Sequence, residues 1–310
     1  MSVENSLSFD DWSSIFQKNT LIAIQHQVGD WDSACKFATE LCDDVYEFLS
    51  LLPKAGYCKD DTEYEILRQR IYSSLNCIEF LPQGSGLYGN CENGCVQIGR
   101  DLSEDKRKLY IFHELAHILT QIHEIIDASI DDYINGSLKH SHMYGYQILD
   151  EAMVQDMAEN LFHISKGRVR RSLQSKHDII LNIPIQTNFD FYGLYQPIAL
   201  AFAQSLRGMS NIHDMCKYAL YHNFYKHIID EYRRDRVEDR LDEILSKMGN
   251  IWYAKYRSFS GEKRQEHIYR KDAAVEVVSE FVTDKEIITR FYIDVCDELS
   301  GSLADSRGML

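Results

Sequence analysis

The fifteen residues from Leu109 to His123, Leu-Tyr-Ile-Phe-His-Glu-Leu-Ala-His-Ile-Leu-Thr-Gln-Ile-His, constrain the fold more than any other stretch. If this segment is helical, Leu109, Ile111, Phe112, Leu115, Ile118 and Leu119 place apolar side chains on every side of it, so it has to be covered all round. Polar side chains are costly inside such a helix unless something satisfies them, yet this one carries His113, Glu114 and His117. His113 and His117 are four apart and stand one turn above the other on a single face, where both rings can reach one metal ion. Glu114, one position round from the first imidazole, is badly placed to coordinate that ion. It is well placed to hydrogen-bond a water that the ion holds. The competing reading is a pair of helix histidines with an unrelated glutamate.

The pattern is His-Glu-x-x-His, and through it the chain resembles the zincin metallopeptidases. The resemblance implies Zn2+ held by His113 and His117, with Glu114 as the catalytic general base. A catalytic zinc takes a third protein ligand and keeps one position open for water. One source is Glu151, in the segment 148–162, where Ile148, Ala152, Met153, Met157, Ala158 and Leu161 give a buried helical face. That segment resembles the glutamate helix of gluzincins, in which an acid some tens of residues after the motif is the third ligand. The other source is His123, because residues 113–123 also fit the metzincin spacing, with Thr120 where that family generally has glycine. There the helix must break for the last histidine to turn back. Thr120, among Ile118, Leu119 and Ile122, lets it continue, and at about 100° per residue His123 then points about 120° away from His117. Glu151 is the favoured ligand, with His123 and Asp150 as alternatives.

Fuller gluzincin patterns place an aspartate four residues past the ligand, where it orients the first histidine. Here that position is Gln155, so Asp156 is the candidate for this supporting role, with Glu159 behind it; the plain alternative is a solvated helix face. Several gluzincin-like proteins also carry a tyrosine whose hydroxyl stabilises the oxyanion. Tyr195, just before a helix expected to start near Pro197, is the first candidate and Tyr192 the second, against simple packing of two among 19 tyrosines.

The surroundings fit a mainly α (α+β) protein. Three helices are expected first, over residues 8–27 with Ser8 as N-cap, 31–52 and 61–75, each with apolar residues at three and four. From Cys77 to Gly99 glycines and β-formers alternate, which points to a small sheet: Ile78–Leu81, Leu87–Tyr88 and Cys95–Ile98 after the turn residues Glu92, Asn93 and Gly94. The resemblance gives this sheet an edge strand that aligns an extended substrate. Ser103 opens the motif helix. A polar loop is expected over 127–146, able to border a cleft, and a helical, charged region over 211–310. The expected organisation is an N-terminal helical region (1–76), a zincin-like catalytic core (77–207) and a C-terminal helical region (208–310).

Composition limits the partners. A formal net charge of −15 repels phosphate backbones and anionic lipid, so neither nucleic acid nor a membrane surface is an expected partner. No apolar run approaches a membrane span and no basic-then-apolar leader is visible at the N-terminus. The 8 cysteines are scattered, which suits reduced thiols in the cytoplasm, Cys91 and Cys95 included. Lys166–Arg171 is a basic cluster expected at a helix end. The resulting expectation is a cytoplasmic zinc metallopeptidase acting on peptide or protein substrates. Its alternatives are a regulatory peptidase of the kind that cleaves a transcriptional repressor, and a non-catalytic helical protein whose metal is structural, closed by a fourth ligand such as His123, His140 or His142.

Overall fold

The computed structural model describes residues 8–82, 89–120, 140–168, 192–235, 238–253 and 263–281. Among the described residues the chain is mainly helical, with one three-stranded sheet ahead of the motif helix. These residues form two compact units: 8–120 with 157–168, and 140–156 with 192–281.

The first unit begins with three helices whose starts are set by short polar side chains. Helix α1 (Phe9–Val28) is capped by Ser8, whose hydroxyl accepts from the Asp11 amide, and it stops at Gly29 in the left-handed region, φ 79°. Asp30 and Asp60 cap α2 (Trp31–Leu51) and α3 (Asp61–Ser74) in the same way. Trp12 stacks on Phe16 and Tyr72, and its indole donates to the Leu75 carbonyl at 3.2 Å, which ties α1 to the end of α3.

The sheet has the order β1 (Cys77–Phe80), β3 (Cys95–Ile98), β2 (Gly89–Glu92), with β3 parallel to β1 and antiparallel to β2. Asn93 and Gly94, at φ 52° and 74°, close the β2–β3 hairpin. Two positive φ values suit the twist of a two-residue hairpin, and Asn-Gly is the pair that adopts them at least cost. The strand expected at Leu87–Tyr88 lies outside the described residues; the strand that is seen starts one residue later. Helix α1 covers the outer edge of β1, where Gln27 bonds both the amide and the carbonyl of Phe80 and the Thr20 hydroxyl accepts from Ile78. Ile78, Phe80, Val96 and Ile98 are buried on one face.

Helix α4 (Glu104–Thr120) carries the motif. From Tyr110 to Thr120 every residue but Ile118 is buried, which matches its all-round apolar pattern. Ion pairs hold its first turns to α2: Arg107 reaches Glu40 at 2.8 Å, and Lys108 reaches Asp44 at 3.0 Å and Glu47 at 2.6 Å. Phe112 packs edge-on against Phe48 further along, and Arg70 of α3 donates to the Leu119 carbonyl at 2.8 Å.

Helix α5 (His140–Ser165) passes from one unit to the other, its residues 140–156 belonging to the second and 157–165 to the first. Of the loop expected over 127–146, residues 127–139 lie outside the described residues, and 140–146 are helical. Packing overrides the polar composition there. Tyr146 is buried, and a Cβ on Gly145 would lie 2.5 Å from the Leu245 carbonyl oxygen, so only glycine permits that approach.

The rest of the second unit is α6 (Tyr192–Ala203), α7 (Ile212–Tyr221), α8 (Phe224–Arg234), α9 (Glu238–Tyr253) and α10 (Lys263–Phe281). Helix α6 begins five residues before Pro197, not at it. A proline inside a helix removes one backbone bond and costs about 3 kcal/mol, and the burial of all six residues from Ile198 to Ala203 offsets that loss. Among the described residues no helix is long and apolar enough to cross a membrane.

Candidate metal centre

Helix α4 brings the two imidazoles of the motif together by its own periodicity. Their Nε2 atoms are 3.1 Å apart, with the rings nearly perpendicular at 79°, and both residues are buried. Two lone pairs aimed at each other at this distance repel, so the arrangement needs a shared proton or a cation between them. Two nitrogens on one tetrahedral zinc, with bonds of about 2.0–2.1 Å, would lie roughly 3.3 Å apart, close to the observed separation.

The third donor comes from α5. One ligand atom each from His113, His117 and Glu151 lies within 4.8 Å of the other two. Two imidazoles and one carboxylate form a donor set that zinc accepts, so the residues present fit the ion. Glu151 is six residues before Met157 on an unbroken helix, about 9 Å along its axis, and is half-buried, whereas Asp150 is fully buried. His123 lies outside the described residues, and Thr120 ends the described part of α4 in helical conformation. His140 and His142 belong to the first turn of α5.

Glu114 is buried beside His113, and strand β2 backs onto it: a Cβ placed on Gly89 would lie 2.6 Å from the Glu114 Oε1 atom. Cys91, two residues along β2, projects to the same face of the sheet as Gly89. Burial pushes the Cys91 thiol up to about 11, Glu114 adding to the rise and His117 opposing it, which places the thiol within electrostatic reach of both motif residues. Neither Gly89 nor Cys91 stands out in the sequence, because the register of the β2–β3 hairpin decides which residues face α4. The available signal was the glycine-rich run itself, since a glycine inside a strand often marks a close approach.

The supporting candidates fall as follows. Asp150, Gln155, Asp156 and Glu159 are all buried on α5, a concentration of polar side chains that a purely structural helix would avoid. Asp156 interacts with His213 of α7, a residue with no metal spacing in the sequence; burial holds the His213 imidazole below its usual range, and the Asp156 charge opposes that shift. Tyr195 is buried inside α6, 4% exposed, and Tyr192 is the first residue of that helix, so both belong to the helix and not to a loop before it. Of the basic cluster, Lys166 pairs with Asp105 at 2.6 Å at the end of α5, and residues 169–171 lie outside the described set. No protein-family model, curated protein or solved structure matches this chain.

Proposed function

We propose that the chain is a zinc-dependent metallopeptidase of the gluzincin type, with His113, His117 and Glu151 as ligands. The observation that carries the reading is the approach of these three donors to within 4.8 Å of one another, with Glu114 buried next to the first. When bound there, zinc would supply Lewis-acid polarisation of a water and of a carbonyl oxygen. Glu114 takes a proton from the attacking water and delivers it to the leaving amine nitrogen, a task that needs a carboxylate held within hydrogen-bond reach of both. Burial of Glu114 under β2 limits competing water around it. Tyr195, with Tyr192 as second choice, donates its hydroxyl to the oxygen on which negative charge develops. Asp156 serves as a positioning residue on the ligand helix. The small sheet before α4 would make this a zincin-like core, and the substrate a peptide or protein.

The test compares zinc content and hydrolysis of a peptide library for wild type and Glu114→Gln. The reading expects stoichiometric zinc in both and cleavage only by wild type. Equal cleavage by the two proteins, or zinc in neither, contradicts it.

A further inference from the structure

The sheet carries a cysteine pair that the metal centre does not use. Cys77 on β1 and Cys95 on β3 are direct partners in the parallel ladder. Their side chains leave the half-exposed face of the sheet, the one on which Gln97 donates to Glu79. Cys91 leaves the opposite face, since its ladder partner is the buried Val96. The nearest thiol to Cys95 is therefore set by strand pairing, not by the C-x-x-x-C spacing in the sequence. Neighbouring strands set Cα atoms about 4.8 Å apart, inside the range of about 4.4–6.8 Å that a disulfide spans. The two Sγ atoms are 2.8 Å apart, within about 0.8 Å of a bond length of about 2.04 Å.

We propose that Cys77 and Cys95 are a reversible redox modification site, forming a disulfide between β1 and β3 with a small-molecule disulfide such as oxidised glutathione as the oxidant. The Cys77 thiolate attacks one sulfur of the oxidant and breaks its S–S bond, which gives a mixed disulfide and one glutathione thiolate. Cys95 gives its proton to solvent and attacks the Cys77 sulfur, and the second glutathione thiolate leaves; both thiolates then take up protons. Two protein thiols are oxidised and one glutathione disulfide is reduced to two thiols. A hydrogen bond shared between the two sulfurs, which either can donate, lowers the Cys77 thiol against burial, which favours Cys77 as the first sulfur to attack. The same bond, with burial, holds the Cys95 thiol high. Once closed, the bond makes residues 77–95 a covalent ring that contains β2, the strand that backs onto Glu114.

The full-length protein is incubated with oxidised glutathione, remaining thiols are alkylated, and peptides are mapped by mass spectrometry without reductant. A Cys77–Cys95 linked peptide pair is expected, lost on dithiothreitol treatment and absent from Cys77→Ser and Cys95→Ser, with Cys95→Ser stopping at a glutathione adduct on Cys77. Both cysteines alkylated in the wild type, a stable adduct on wild-type Cys77, or Cys91 linked to either residue would overturn the proposal. The wild-type masses decide alone. Because they involve neither zinc nor hydrolysis, the proposal stands or falls separately from the peptidase reading.

Discussion

Single residues in the motif region answer to two different kinds of information. The relation of His113 to His117 is local, one helical turn, and so was legible from spacing alone; the structure adds that the nitrogens come within 3.1 Å. The distance from these rings to Glu151 depends on how two helices meet, and only the resemblance pointed to that residue. Gly89 could not be read at all, because its meaning lies in the hairpin register. A side chain there would meet the Glu114 carboxylate. Gly89→Ala should therefore displace Glu114 and lower kcat by about 100-fold, the scale associated with a misplacement of about 1 Å, while zinc content stays at the wild-type level. An unchanged kcat would show that this contact does not hold the carboxylate in place. His117→Ala should lose zinc outright, measured by metal analysis after dialysis.

Elements were legible to the degree that their signals are local. Helices α1, α2 and α3 came out within one or two residues of their expected bounds, since caps such as Ser8 and stops such as Gly29 act within one turn. Helix α5 begins earlier than its polar first turns implied, and α6 runs through Pro197, because burial against neighbouring elements decided both. The hairpin gives a sharp test at this scale. Gly94 has φ 74°, and a Cβ there would lie 2.4 Å from the Asn76 side-chain nitrogen and 2.5 Å from the Ser74 carbonyl. Gly94→Ala should cost at least the 1–3 kcal/mol or so of a non-glycine residue held at positive φ, read as a fall in denaturant midpoint. The anchoring of α4 to α2 is testable by pH. Burial alone would lower the Lys108 pKa, but its bonds to Glu47 and Asp44 raise it above the ordinary value. Stability from a base with a raised folded pKa is fully present below its unfolded value, about 10.4, and is lost as pH rises through the folded one. Lys108→Met should accordingly show a shallower alkaline loss of stability than wild type in denaturant titrations above that pH.

At the scale of the whole molecule, a mainly helical chain with a small sheet was evident from periodicity, whereas the grouping of residues 157–168 with those before 121 depends on contacts far apart in sequence. Composition shifts locate boundaries only along a chain, so they carry no trace of such a grouping. The proposed ligands come from α4 and α5, helices separated in sequence, so metal binding should stabilise the native state as a whole. An ion present at 100 times its Kd contributes about 2.7 kcal/mol. Chelation should lower the thermal midpoint of the wild type and leave His113→Ala and His117→Ala unmoved.

X-ray absorption at the zinc edge, on the full-length protein loaded with one equivalent of zinc, tests the central claim most directly. Two imidazole nitrogens together with carboxylate and water oxygens are expected around the zinc of the wild type, and no protein imidazole signal in His117→Ala, which does not retain the ion. A sulfur at about 2.3 Å, or a spectrum unchanged by loss of His117 or Glu151, would contradict it.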